Sequence, residues 1–459
     1  MTEYSFTKAV PVWEEGKEKE MNYWLCFRAE TGKHESITLA LTGSSAYIVK
    51  VNGAFVAFGP ARCAHGYYRV DELDLSSLCT HDKNIITITA LGYNCTSFYH
   101  LCQPSFLCAE LICDGKVTAA TGDSGFTARY IAEHEQKAEK FSFQRTFTEV
   151  YNLDESYRDF EVASDVSSLA QVKLVPTEKK AFIARDSALN SYYHVPAKKI
   201  VRRGAFDVGD YSATIGYGRH IKEISYKMTG FTLDEVTTNS LLEARNIENK
   251  DITVTDIAAD CTDIEKNHFA VFEMERNTTG QIEFDIVCKD DAEVLVTFSE
   301  LLEKSGSEPV DFRHAGLVCS MIWRLKKGEY HLSTAEPYTA MYIKFAAKKA
   351  NIRVSRVGMN YFGADMPKKA YAGSDKALGE IFDAAIETYR QNTFTIYMDC
   401  PSRERAGWLC DSLGGYHYFF MWALLATVPA FLLAARIPFT YPDTEEVTAE
   451  EVDKELINE

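Results

Sequence analysis

Asp399-Cys400-Pro401-Ser402-Arg403-Glu404-Arg405-Ala406-Gly407-Trp408-Leu409-Cys410-Asp411 places three carboxylates, two arginines and a tryptophan in thirteen positions. Breaking a glycosidic bond uses such a set: one carboxylic acid protonates the leaving oxygen, and a second carboxylate activates water or attacks carbon. Neighbouring carboxylates raise one another's pKa, and an apolar wall such as Trp408 adds desolvation in the same direction. Arg403 and Arg405 act the other way. A working site would therefore turn the arginines towards Asp399, Asp411 or sugar hydroxyls and leave Glu404 against the less polar surface. The plainer alternative is a helix cap followed by a surface ion-pair cluster, since structural networks also perturb carboxylates.

The order of residues resembles the signature of the bacterial α-L-rhamnosidases, inverting glycoside hydrolases in which an Asp-Cys-Pro-x-Arg run leads to Glu-Arg-x-Gly-Trp and then Asp. The resemblance implies a multi-domain fold, with β-sandwich (jelly-roll-like) domains followed by an (α/α)6 barrel of the six-hairpin type. It puts Glu404 on the general acid and Asp399 and Asp411 on carboxylates that hold sugar hydroxyls. Arg403 falls on a motif arginine near the pocket and Trp408 on the motif tryptophan. Many relatives carry one more residue between arginine and glutamate, and a glycine where this chain has Cys410. These departures bear on sugar specificity more than on the reaction class.

At 459 residues the chain suggests about three domains, at roughly 150 residues each. A content of 46% hydrophobic and 25% charged residues reads as globular. The net charge of −17 argues against nucleic acid or an anionic membrane as partner, because phosphate contacts need clustered Lys and Arg. A rhamnose-containing glycoside is the partner the resemblance implies; homo-oligomerisation stays open. Met1-Thr2-Glu3-Tyr4-Ser5 has neither a basic nor an apolar leader region, so a cytoplasmic location is expected. Twelve cysteines are scattered without two-residue spacing, which reads as buried free thiols rather than a zinc site or disulfides. No metal or cofactor is expected. The sequons at Asn94 and Asn277 are expected to be unused.

Upstream, short alternating runs predict an all-β region over residues 1–165. Ala46 to Val51 leads into Asn52-Gly53 and out through Ala54 to Phe58, a hairpin signal because Asn-Gly accepts positive φ. Further strands are predicted at Asn84 to Ala90, Phe106 to Ile112 and Phe126 to Ile131. The aromatic stretch from Tyr93 to His100 either stacks on sugar rings or fills the core. His65 and His100 have no ligand-spaced partner. A polar passage from Ser164 to Lys180 reads as a boundary. A second β-sandwich over 166–370 has its clearest strands at Ile252 to Ile257, Gln281 to Val287, Glu293 to Phe298 and Met341 to Ala346, with a turn at Asp290-Asp291. Glu300 follows one of these strands. It is either an exposed strand-end charge or the glutamate that the family's similar sandwich carries in this kind of position.

Over 371–459 the period changes. Leu378, Ile381, Phe382, Ala385, Ile386 and Tyr389 recur at helical spacing behind a Ser374 N-cap. Thr395 to Met398 is expected as an extended run delivering Asp399, and Pro401 as the first turn of a new helix. Only 48 residues follow Asp411, so an incomplete barrel is expected, lacking the opposing base. Phe419 to Ala435 carries no charge over 17 residues; it reads as a buried helix of that barrel or a short membrane segment. The tail from Asp443 is acidic, with a capping box at Thr448 and Glu451. Two functions compete: an inverting α-L-rhamnosidase, its base supplied by Glu300, Asp443, Glu445 or another chain, and an inactive truncated fragment whose β domains bind carbohydrate or serve only structurally.

Overall fold

The hairpin forms as its turn residues require. Ala46–Val51 pairs with Ala54–Gly59, and Asn52 and Gly53 adopt φ of 51° and 78°, the left-handed values that asparagine and glycine tolerate. The computed structural model describes residues 2–209, 230–232, 234–303, 308–364 and 373–407. Trp408, Asp411, the run Phe419 to Ala435, Asp443, Glu445 and the acidic tail lie outside these described residues.

The hairpin belongs to a five-stranded sheet ordered Thr127–Tyr130, Tyr23–Thr31, Asn84–Gly92, Ala46–Val51, Ala54–Gly59. A seven-stranded sheet lies against it, built on Leu107–Cys113, Ile37–Gly43 and Tyr67–Asp74. Trp13, Phe27, Leu39, Tyr47, Val49 and Leu111 fill the core between the two. The alternate residues Trp24, Ile48, Phe58 and Leu91 enter a different core, shared with a third sheet. The five-stranded sheet is thus covered on both faces, which explains why Ala46–Val51 apart from Lys50, and the first five residues of Tyr23–Thr31, are apolar rather than alternating.

The third sheet has ten strands and folds over on itself. The long strand His268–Cys288 pairs with Tyr338–Ala347 in its first half, then with Gly328–Ser333 and Ile352–Gly363 in its second. Its register shifts between Glu273 and Thr278, and a strand corner is made at such an irregularity. The ring of Phe284, beyond the corner, packs edge-on against Trp323 and Phe345 at 5.5 and 4.9 Å. The turn at Asp290-Asp291 joins this strand to Ala292–Ser299, yet the two are not neighbours; Tyr338–Ala347 pairs with both.

Around Ser164 to Lys180 the chain weaves between sheets. Val150–Leu153 adds to the ten-stranded sheet beside Ser320–Leu325. Leu174–Pro176 then returns to Val12–Glu14, and Ala181–Ala184 to Tyr67–Asp74. Residues 1–407 form one compact unit. In the aromatic stretch Tyr93 and Tyr99 are core residues, and burial pushes the His100 imidazole down to about 3. Among the described residues every cysteine is free and most are buried.

The helix Lys376–Gln391 forms, but its N-cap is Asp375 rather than Ser374: the Asp375 carboxylate accepts the Leu378 N–H at 3.1 Å. Leu378 and Ile381 on its apolar stripe are exposed. Two further expectations are corrected. A bridge between Thr393 and Tyr397 makes 393–397 a tight loop, not an extended run. Pro401 lies in a turn over 401–404 that ends at Arg405 with φ of 53°, so it does not open a helix.

Candidate active site

The loop 399–406 is closed by its first residue. The Asp399 N–H donates to the Ala406 carbonyl, and the Ala406 N–H donates back to Asp399 Oδ1, both at 3.0 Å. Within the ring, Cys400 Sγ accepts the Glu404 N–H at 3.3 Å and donates to Asp399 Oδ2 at 3.4 Å. Burial raises the Asp399 carboxyl above its ordinary value, the hydrogen bonds from Ala406 and Cys400 oppose this, and the charge of Glu404 adds to the rise. Both Asp399 oxygens are therefore engaged in holding the loop.

Glu404 projects from this ring with its side chain 13% exposed, and Arg403 Nη2 donates to its Oε1 at 2.8 Å. The arginines thus take other directions than expected. Arg403, nearly half exposed, pairs with Glu404. Arg405 turns inward and is fully buried. Its Nη1 donates to Glu336 Oε2 at 3.0 Å, its Nε to the Pro401 carbonyl at 2.8 Å and its Nη2 to the Pro337 carbonyl. Phe394 lies 5.0 Å from its guanidinium.

The β layers grip the loop at further points. Arg62 donates to the Arg405 carbonyl at 3.1 Å and to Thr395 Oγ1 at 3.2 Å. Arg145 donates to the Ser402 carbonyl, and Asn190 Nδ2 to the Phe394 carbonyl at 2.7 Å. At the centre, Glu336 accepts from Tyr93 Oη at 2.7 Å and faces Arg145 at 3.5 Å as well as Arg405. Burial alone would raise the Glu336 carboxyl, but Arg405, Arg145 and His100 hold it below the ordinary value. Burial, with Arg145 alongside, lowers Arg405 to about 10, so it remains a cation at neutral pH.

Glu300 and Ser402 line one small gap of about 10 Å³ with Tyr338 and His314. The structure therefore brings Asp399, Arg403 and Glu404 together and sets Glu300 beside their loop. Glu336, Arg145, Arg62 and Asn190 carry no local sequence signal. Their partners lie 69 to 343 positions away. No group of three or more His, Cys, Asp or Glu side chains among the described residues is arranged to hold a metal ion.

Residues 370–423 match the model of the bacterial α-L-rhamnosidase six-hairpin glycosidase domain. Among solved structures, the GH78 rhamnosidase of Bacillus sp. GL1 is similar with a TM-score of 0.70 at 13% identity, covering 88% of this chain and 60% of that one. The α-L-rhamnosidase of Aspergillus terreus follows with TM-score 0.55 and 14% identity over 88% and 42%. That of Streptomyces avermitilis, complexed with L-rhamnose, has TM-score 0.50 and 12% identity over 84% and 33%. The family model thus matches residues 370–423 only, the structural likeness at 14% identity or less is one of fold, and the chain spans 60% or less of each structure named. No curated protein matches the sequence.

Proposed function

We propose that the chain acts as an α-L-rhamnosidase-type glycoside hydrolase that removes terminal L-rhamnose with inversion. In this reading Glu404 is the general acid, and Asp399, Arg403, Trp408 and Asp411 hold the sugar. The observation that carries it is the conjunction of the family match over 370–423 with a half-buried Glu404 on a loop pinned by buried β-layer groups. Rigid support of this kind is what an acid must have to meet a leaving oxygen. The L-rhamnose in the Streptomyces structure supports the sugar assignment. Inversion also needs a base about 6.5–9.5 Å across the bond from the acid; Glu300 is the first candidate to mutate, then Asp443 and Glu445.

In a preparation that turns over a natural rhamnoside, Glu404→Gln should lower kcat by about 10²–10⁴-fold. An aryl rhamnoside, whose leaving group needs less protonation, should lose much less. A loss below about tenfold on the natural substrate moves the acid elsewhere. The second reading, a β scaffold without turnover, has one observation in its favour: the Arg403 guanidinium lies 2.8 Å from Glu404 Oε1 and engages the oxygen an acid would present to substrate. Arg403→Gln separates the two readings: with a catalytic Glu404 it should change turnover of the natural rhamnoside, whereas with an inert ion pair neither protein turns over.

A further inference from the structure

The five-stranded and ten-stranded sheets do not close on each other everywhere. Trp24, Ile48, Trp323 and Leu332 belong to the shared core and also form one wall of a cleft of about 390 Å³ that stays open. Its walls set ion pairs among apolar groups such as Ile131 and Leu153. Lys50 pairs with Glu161 at 2.7 Å, Arg129 with Glu133 at 2.9 Å, and Arg356 with Glu283 at 3.4 Å. Open volume between packed layers forfeits contact energy, and half-buried ion pairs add little to stability. Folding alone gives no reason to set these ion pairs in a largely apolar wall.

One lining group is unmatched. Arg158 makes no ion pair among the described residues; its Nη2 donates only to the Gly53 carbonyl at 3.2 Å, which leaves its other donors without a protein partner. Two half-buried aromatic rings also line the space, Phe55 on an edge strand and Tyr157 just before Arg158. We infer that the cleft is a second binding site, separate from the loop 399–406, and that it takes an acidic saccharide. A pyranose ring sets its C–H face on Phe55 or Tyr157 and exchanges hydroxyl hydrogen bonds with the paired acids and bases. Its carboxylate takes the planar fork of Arg158. The volume falls within the usual range for small-molecule sites. A bare inorganic anion would leave the rings unused, and a neutral sugar would leave Arg158 unmatched.

The full 459-residue chain should be titrated calorimetrically with methyl β-D-glucuronide, methyl β-D-glucoside and glucose 6-phosphate. The glucuronide should bind with Kd on the order of 1 mM and the glucoside at least about tenfold more weakly. Arg158→Met and Phe55→Ala should each cost about fivefold or more in that affinity, and Glu404→Gln nothing. Because Glu404→Gln disables the proposed hydrolysis without touching the cleft, the two readings fail separately. Equal binding of glucuronide and glucoside, tighter binding of the sugar phosphate, absence of saturable binding, or affinity lost through Glu404→Gln but kept in Arg158→Met would each overturn the site.

Discussion

Arg405 and Glu336 hold opposite charges where water does not reach, with Arg145 crowding the same carboxylate. Replacing such a group with its partners left in place strands a charge in a poorly solvating interior, at a cost of about 3–5 kcal/mol. Glu336→Gln leaves two guanidiniums in that state and should lower the urea midpoint accordingly. Adding Arg405→Met should cost less than the two single changes summed, the signature of coupled neighbours. Alkylation offers a local readout: Cys400 in the loop should react faster in Glu336→Gln, while the exposed Cys102 and Cys261 serve as internal references. Unchanged Cys400 reactivity with a large loss of stability would mean that Glu336 supports the core but not the loop. The chemistry of the loop was legible because its residues are contiguous. The inward turn of Arg405 was not, because an arginine beside three carboxylates reads as a surface ion pair until the distant Glu336 is known.

Some elements with local signals form as the sequence predicts, whereas the extended run at 395–398 and the helix start at Pro401 do not. Asn52-Gly53 made a hairpin because only the turn's own dihedrals decide it, and the apolar spacing from Leu378 to Tyr389 made a helix. The cap slipped by one residue because serine and aspartate both serve and side-chain geometry chose Asp375. The helix Ser240–Arg245 shows a different dependence, on a carboxyl from elsewhere in the chain. Glu139 Oε1 accepts from Ser240 Oγ at 2.6 Å and from the Leu241 N–H at 2.9 Å, while Oε2 is buried without a partner. Burial pushes this carboxyl up to about 7 against the pull of those bonds. Its folded pKa exceeds the unfolded value, so between about pH 4.5 and 7 the native state holds a proton that the unfolded chain has released, and stability falls as pH rises through that window. Glu139→Gln keeps the Oε1 acceptor and removes the titration. The variant should match wild type near pH 4.5 and exceed it by up to roughly 3 kcal/mol above pH 7. Urea unfolding at both pH values checks this, and a constant difference between the two proteins would refute it.

At the scale of the whole molecule the three sheets are sewn together by strands that leave one layer for another. Val150–Leu153 comes before the polar passage at 164–180 yet pairs with Ser320–Leu325, while Leu174–Pro176 and Ala181–Ala184 come after most of it and pair with Val12–Glu14 and Tyr67–Asp74. Composition suggested a boundary near 165 because the passage is polar and helix-poor. Strands of three and four residues carry too little pattern to reveal their partners, which long-range packing alone selects. A polypeptide of residues 1–165 would lack both returning strands and would bare the face of Trp24, Ile48, Phe58 and Leu91 that the ten-stranded sheet covers. Apolar exposure on that scale drives association. The fragment should therefore aggregate or unfold without a cooperative transition, whereas a polypeptide of residues 1–407, which keeps every one of these pairings, should unfold in a single step by both circular dichroism and tryptophan fluorescence. A soluble, cooperatively folding 1–165 would show that the first two sheets are complete without their returning strands. The β region would then be a detachable module, and the grip of Arg62 on Thr395 and Arg405 would be a contact between domains rather than part of one continuous scaffold beneath the active-site loop.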